Sequence, residues 1–149
     1  MRAHRGFTLI ELLVVFALLA LLVAVVPVAF GRLSESAHYR GTVRGMLSDM
    51  RQGRQLAISE GTEVRFHVDM AARTFGLDGR PEQVVPEPLK VRATVAAIEL
   101  ADGRVASIRF LPQGGATGGS IDVLRPSGSG VRLTVDWLSG GIAQSAIQP

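Results

Sequence analysis

Residues 1–30 read MRAHRGFTLIELLVVFALLALLVAVVPVAF, and this stretch decides how the rest of the chain is to be read. A short basic head carries Arg2, His4 and Arg5. An apolar run follows from Phe7 to Phe30. As a helix, residues 7–30 would extend about 36 Å at about 1.5 Å per residue. That is enough for a bilayer core of about 30 Å. Basic residues precede the run and no matching cluster follows it, which puts the N-terminus in the cytoplasm and the remainder on the far side. A cleavable signal peptide, with Pro27-Val28-Ala29 as a poor cleavage site, and a plain anchor both share this outline.

Glu11 fits neither outline. An ionised carboxylate at the centre of a membrane helix costs roughly 2.5–3.5 kcal/mol, and less towards the interface. An acid in that position needs a partner. If the chain were cut after Gly6, Phe7 would gain a free amine. A neighbouring copy shifted along the helix axis could then place that amine beside Glu11. Removing one member of such a buried pair costs about 3–5 kcal/mol, so Glu11 would set the registry of an assembly.

Composition agrees with one apolar segment on one modest domain. The chain has 149 residues, 47% hydrophobic and 19% charged, which excludes a disordered chain. It has no cysteine, so a disulfide framework, a thiolate zinc site and a cysteine nucleophile are excluded. Sixteen basic against thirteen acidic residues gives +3, and loss of Arg2 and Arg5 with a leader leaves +1. A mature protein so near neutrality argues weakly for nucleic acid.

Beyond Pro27, which should kink the helix, residues 32–60 contain no proline and keep a helical period. On a wheel, Leu33, Tyr39, Val43, Met46, Leu47, Met50, Ala57 and Ile58 share one arc, the stripe of a core-facing helix. Arg40, Arg44 and Arg51 lie on one flank, Glu35, Asp49 and Glu60 on the other. These flanks are either solvated or complementary between subunits. Gly41, Gly45 and Gly53 each weaken the helix by roughly 1 kcal/mol against alanine, so packing must hold it. Arg54 falls inside the apolar arc, to snorkel or to pair with a buried acid.

Gly61 ends the helix. Val64-Arg65-Phe66-His67-Val68 alternates as a strand with Thr74–Leu77 as hairpin partner. Residues 82–88 read as an irregular connection. Strands follow at Leu89–Val95, Val105–Leu111, Ser120–Leu124 and Val131–Leu138, with turns at Asp102-Gly103 and Pro126–Gly130. Trp137 on the last strand is expected in the core, or failing that as an interface anchor. Residues after Ile142 are expected to fray. The fold class is α+β: a long N-terminal helix, transmembrane then amphipathic, packed on a small antiparallel β-sheet domain. The parts are a leader at 1–6, a membrane helix at 7–30, its amphipathic continuation at 31–60 and the β domain at 61–149.

The run Gly6-Phe7-Thr8-Leu9-Ile10-Glu11 resembles the processing site of type IV pilins and type II secretion pseudopilins. The resemblance implies cleavage after Gly6 by a prepilin peptidase, N-methylation of Phe7 and an assembly role for Glu11. Arg54–Gly61 before an alternating strand, Ile108–Gly114 with Gly118-Gly119-Ser120-Ile121, and Val131–Leu138 with Gly140-Gly141-Ile142 resemble the GspH/FimT subfamily. That implies a minor pseudopilin near the tip of a periplasmic pseudopilus that exports folded proteins. Its partners would be other pseudopilins, the prepilin peptidase and the inner membrane. The alternative inside the class is a minor type IV pilin of the FimT kind, acting in pilus assembly or DNA uptake. DNA-binding members carry arginines after the terminal glycine. Here Gly141-Ile142-Ala143-Gln144 follows and no arginine stands after Arg132, so no nucleic acid is expected.

An alternative outside the class is a membrane-anchored periplasmic enzyme or binding domain. Ser107 or Ser120 could meet His67 in space, but no G-x-S-x-G elbow is present, and Gly128-Ser129-Gly130 is a turn. Gly114–Gly119 lacks the G-K-[ST] of a phosphate loop, since Lys90 is the only lysine. Asp78, Asp102, Asp122 and Asp136 sit on separate turns or strands, without the spacing of a calcium loop. No catalytic residue, metal, cofactor or small-molecule substrate is expected, and His67 reads as an exposed strand residue.

Overall fold

A computed structural model describes residues 8–96, 100–101 and 103–149, and of residues 23–33 the helical backbone alone. Helix α1 spans Leu9–Glu60. The described strands are β1 Val64–Asp69, β2 Thr74–Leu77, β3 Gln83–Val84, β4 Lys90–Thr94, β5 Leu100–Ala101, β6 Val105–Phe110, β7 Gly119–Leu124, β8 Gly130–Val135 and β9 Ile142–Ile147. The chain divides into two compact units, Met1–Ala37 and His38–Pro149. Pro27 stands inside α1, whose helical backbone continues through it, and the side chain of Leu33 lies outside the described ones. Among the described residues no helix is long and apolar enough to cross a membrane. The apolar run quoted above continues into residues 23–33, where side chains are not described.

Within the second unit the sequence patterns become layers. The strands form a five-stranded sheet in the order β3-β2-β1-β6-β5 and a four-stranded sheet in the order β4-β7-β8-β9. All pairings are antiparallel. Residues 82–88, expected to be irregular throughout, include β3, and Pro86 and Pro88 lie between β3, on the edge of the first sheet, and β4, on the edge of the second. Proline has no N–H to extend a ladder, so the chain changes sheet there.

Strand alternation sets the core. Phe66 and Val68 of β1 and Ala106, Ile108 and Phe110 of β6 point inward. Ile121, Val123, Leu133 and Val135 come from the second sheet, and Met46, Leu47, Met50 and Ala57 from the helix. Burying each large apolar side chain contributes about 1.5–3 kcal/mol. The helical stripe departs from the wheel in two places. Ile58 is 41% exposed, and Thr42 is buried.

Two of the helix glycines have a packing reason. A Cβ on Gly53 would lie 2.8 Å from Leu77 Cδ2 and 3.3 Å from Phe110, and one on Gly45 3.1 Å from Phe75. The helix backbone therefore approaches the first sheet where a side chain would hold it off. The propensity lost at these positions is returned as contact. Gly41 faces open space and has no such role.

Three expectations fail at the C-terminal end. β8 stops at Val135, so Trp137 is off the strand and 67% exposed, against the core position expected. Asp136 turns the chain: its Oδ1 accepts from the Ser139 N–H at 2.8 Å and from the Ser139 hydroxyl at 2.7 Å. Residues after Ile142 do not fray; they form β9, paired with β8 from Ile142↔Val135 to Ile147↔Gly130. The strand β5 was not legible either. Part of the Asp102-Gly103 turn, Asp102, lies outside the described residues. Gly114–Gly119 is tied down by Leu111 N–H to Gly115 O, Ala116 N–H to Trp137 O and Thr117 N–H to Arg109 O, each 2.9 Å.

Candidate functional site

The expected site residues lie at the N-terminus. Gly6 and Phe7 are outside the described residues. Glu11 is described, in the first turn of α1. Thr8 precedes that turn, and its Oγ1 accepts from the Glu11 backbone N–H at 3.4 Å, while the Leu12 N–H bonds Thr8 O at 3.2 Å. Thr8 thus stands at the N-cap of α1, a role that apolar patterning hides. From Thr8 to Leu22 every residue is exposed. Leu9 is 85% exposed and Phe16 63%. An apolar helix bare all round needs lipid, other helices or both. The carboxylate of Glu11 sits on that surface. Residues 8–22 supply a capped helix end and, among their apolar side chains, a single acid.

In the second unit, the predicted features resolve separately. Arg54, expected to snorkel or to find an acid, finds a carbonyl: its Nε and Nη2 donate to Ser139 O at 3.2 and 3.0 Å. That ties the helix to the turn before Gly140-Gly141, a contact 85 residues apart that no local pattern announces. The acidic flank is not uniformly solvated. Asp49 accepts from Gln83 Nε2 at 2.9 Å, and burial pushes its carboxyl above the usual range. Arg40, Arg44 and Arg51 are exposed.

His67 is more enclosed than expected, with a side chain only 16% exposed. Its Nδ1 lies 3.0 Å from Asp78 Oδ1 and its Nε2 3.3 Å from Glu82 Oε1. Ser107 is its cross-strand neighbour, while Ser120 belongs to the other sheet. The two carboxylates fix the orientation of the ring. Among the described residues no group of three His, Asp or Glu could hold a metal ion.

Arg132, the last arginine of the chain, is committed inside the second sheet. Its Nε and Nη2 donate to Asp122 Oδ1 and Oδ2 at 2.7 and 2.8 Å. The Arg132 fork holds the Asp122 carboxyl below its ordinary value, against the opposing effect of burial. Hydrogen bonds from Ser139 do the same for Asp136. A carboxyl depressed in the folded state stabilises the fold above its unfolded pKa. That contribution is lost as pH falls through the folded one. Thermal unfolding is therefore expected to be flat near neutrality and to move to lower temperature as pH drops below about 4. In Asp122→Asn that drop should be shallower. An unchanged acid limb in that variant would deny the pair its role.

With this geometry in hand, comparison with known proteins is decisive. The model of the prokaryotic N-terminal methylation motif matches residues 1–27. That of type II transport protein GspH matches residues 42–141. The chain belongs to the GspH family. A relative in Xanthomonas campestris pv. campestris, type II secretion system protein H, is 29% identical over 147 residues, covering 99% of this chain and 86% of the relative. The solved structure of the minor pseudopilin EpsH from the type 2 secretion system of Vibrio cholerae superposes with a TM-score of 0.51 at 14% identity. It covers 77% of this chain and 95% of that one. The helix packed on antiparallel sheets is thus the fold of that pseudopilin. For this GspH-family chain the methylation-motif match spans Gly6, Phe7 and Glu11, and the GspH match ends at Gly141, just before β9.

Proposed function

We infer that this GspH-family chain is a minor pseudopilin of a type II secretion system, a structural subunit with no chemistry of its own. The observation that carries this reading is the pairing of the methylation motif, on a bare apolar helix, with the GspH fold. In this reading residues 1–6 are a leader that a prepilin peptidase removes after Gly6. Phe7 becomes the methylated N-terminus. Residues 7–30 hold the precursor in the inner membrane with the β domain in the periplasm. The same helix then packs among the helices of other pseudopilins in the pseudopilus, with this subunit near the tip. The pseudopilus helps folded proteins cross the outer membrane.

Apolar side chains suit both surroundings, lipid before assembly and a helical core after it. Transfer between them costs little, because neither exposes the run to water. Glu11 supplies what apolar packing lacks, a directional registry mark. Among the described residues His67 lies between Asp78 and Glu82, and Arg132 forks onto Asp122, contacts that suit a structural subunit.

Two experiments test the reading. Intact-mass measurement of protein from the producing bacterium should give a chain beginning at N-methylated Phe7; retention of Met1 would refute processing. A clean deletion should abolish secreted enzyme activity, with the enzymes accumulating in the periplasm, and leave twitching motility and DNA uptake unchanged. Intact secretion with lost motility or uptake would assign the chain to the type IV pili instead.

A further inference from the structure

We propose that the outer edge of β9 receives an extended strand from a neighbouring subunit of another kind, which adds to the second sheet as a fifth strand. The proposal rests on the reading above for the existence of such neighbours. Its own support is the edge itself.

An unpaired strand edge presents a row of backbone N–H and C=O groups, and proteins blunt such edges with charge, proline or shortness. The edges of both sheets can be compared. β3 and β5 end the first sheet and are two residues long each. β4 ends the second and carries Lys90 and Arg92, both exposed. β9 ends the other side of that sheet and is six residues long, Ile142-Ala143-Gln144-Ser145-Ala146-Ile147, with neither charge nor proline. Among the described residues three of these edges are short or charged, and β9 is neither.

The register shows what would complete it. Ile142 stands opposite Val135, Gln144 opposite Leu133 and Ala146 opposite Val131. Leu133 and Val135 are core residues, 0% and 2% exposed. The core row therefore runs outward across β8 onto β9, where Gln144 and Ala146 are exposed with no further strand beside them. A strand added here would carry small or apolar side chains opposite Ile142 and Ala146 and an uncharged polar one opposite Gln144. Just before β9, the Asp136–Ser139 turn holds Trp137 and Leu138 outward, 67% and 71% exposed. That turn closes the β8–β9 hairpin, so both side chains stand at the end of the open strand, where they give backbone pairing a side-chain anchor. The occupant is accordingly a different chain. This protein's own remaining edges are short or basic, and β9 against β9 would be a closed pair that does not propagate.

The test uses the full-length chain in its bacterium. A photoreactive p-benzoylphenylalanine at Ser145 is expected to give an adduct with an extended segment of another protein that carries the N-terminal methylation motif, mapped by mass spectrometry. Gln144→Lys would place a charge beneath the added strand. It should lower that adduct and the secreted enzyme activity at least tenfold, while the purified variant melts as the wild type does. No adduct at Ser145, an adduct only between two copies of this chain, or full adduct yield and secretion in Gln144→Lys would each overturn the proposal. If deletion of the whole chain leaves secretion intact, the secretion reading fails on its own, and the Ser145 adduct alone then decides for or against the edge.

Discussion

Glu11→Ala is expected to yield a protein that is cut and methylated normally but scarcely enters filaments. The substitution removes a carboxylate, not the helix end. Thr8 accepts from the backbone N–H of residue 11, which alanine retains, so the first turn of α1 stays capped. The leader, the glycine and the apolar run are unchanged. In the assembly proposed above, what is lost is the partner of a neighbouring Phe7 amine in a surrounding that excludes water. Leaving one member of such a pair unmatched costs about 3–5 kcal/mol, about a hundredfold or more in the equilibrium for adding a subunit. Co-purification of the variant with the other pseudopilins, quantified beside its methylated N-terminal peptide, measures both effects. Wild-type incorporation would remove the salt bridge from the account.

Gly140→Ala is expected to destabilise the second unit by about 2–4 kcal/mol, the sum of a left-handed backbone penalty and overpacking. Gly140 has φ +63°, and an added Cβ would press on the Gly114 carbonyl oxygen and lie 3.0 Å from Arg54 Nε. Neither neighbour can yield freely. Gly114 belongs to the loop held by Leu111 and Gly115, and Arg54 is fixed on Ser139 O. The turn, the loop and the helix should loosen together. Gly79 has a similar φ of +77° with nothing within 4 Å of its Cβ, so Gly79→Ala should cost only the backbone part, about 1–2 kcal/mol. Equal thermal shifts for the two variants would show that the crowding at Gly140 is without consequence.

Legibility followed the range of the interactions. The helix, its glycine stop at Gly61 and the hairpin of β1 and β2 are encoded by neighbours in sequence, and each stands within a residue or two of its expected place. Asp49 and Arg54 were placed on the right faces of the helix. Their partners, Gln83 and Ser139 O, come from 34 and 85 residues away, and nothing in the helix names them. Trp137 illustrates the same limit. Apolar content pointed inward, but an aspartate one residue earlier turns the chain and puts the indole outside. β9 was missed because Ala, Gln and Ser carry little strand propensity. It forms because β8 offers a paired edge, and propensity yields to that ladder.

By itself, the sequence determined that a basic leader, a glycine, an acid at a set offset and a long apolar run stand in line at the N-terminus. These are local properties of consecutive residues, and they carry the family and the expectation of assembly. Tertiary structure alone decided that the strands divide into two sheets, that Arg54 ties the helix to the Ser139 turn, and that an uncharged strand stands at an open edge. Those features depend on which distant backbone groups meet, and hydrogen bonds between remote segments leave no period in the sequence.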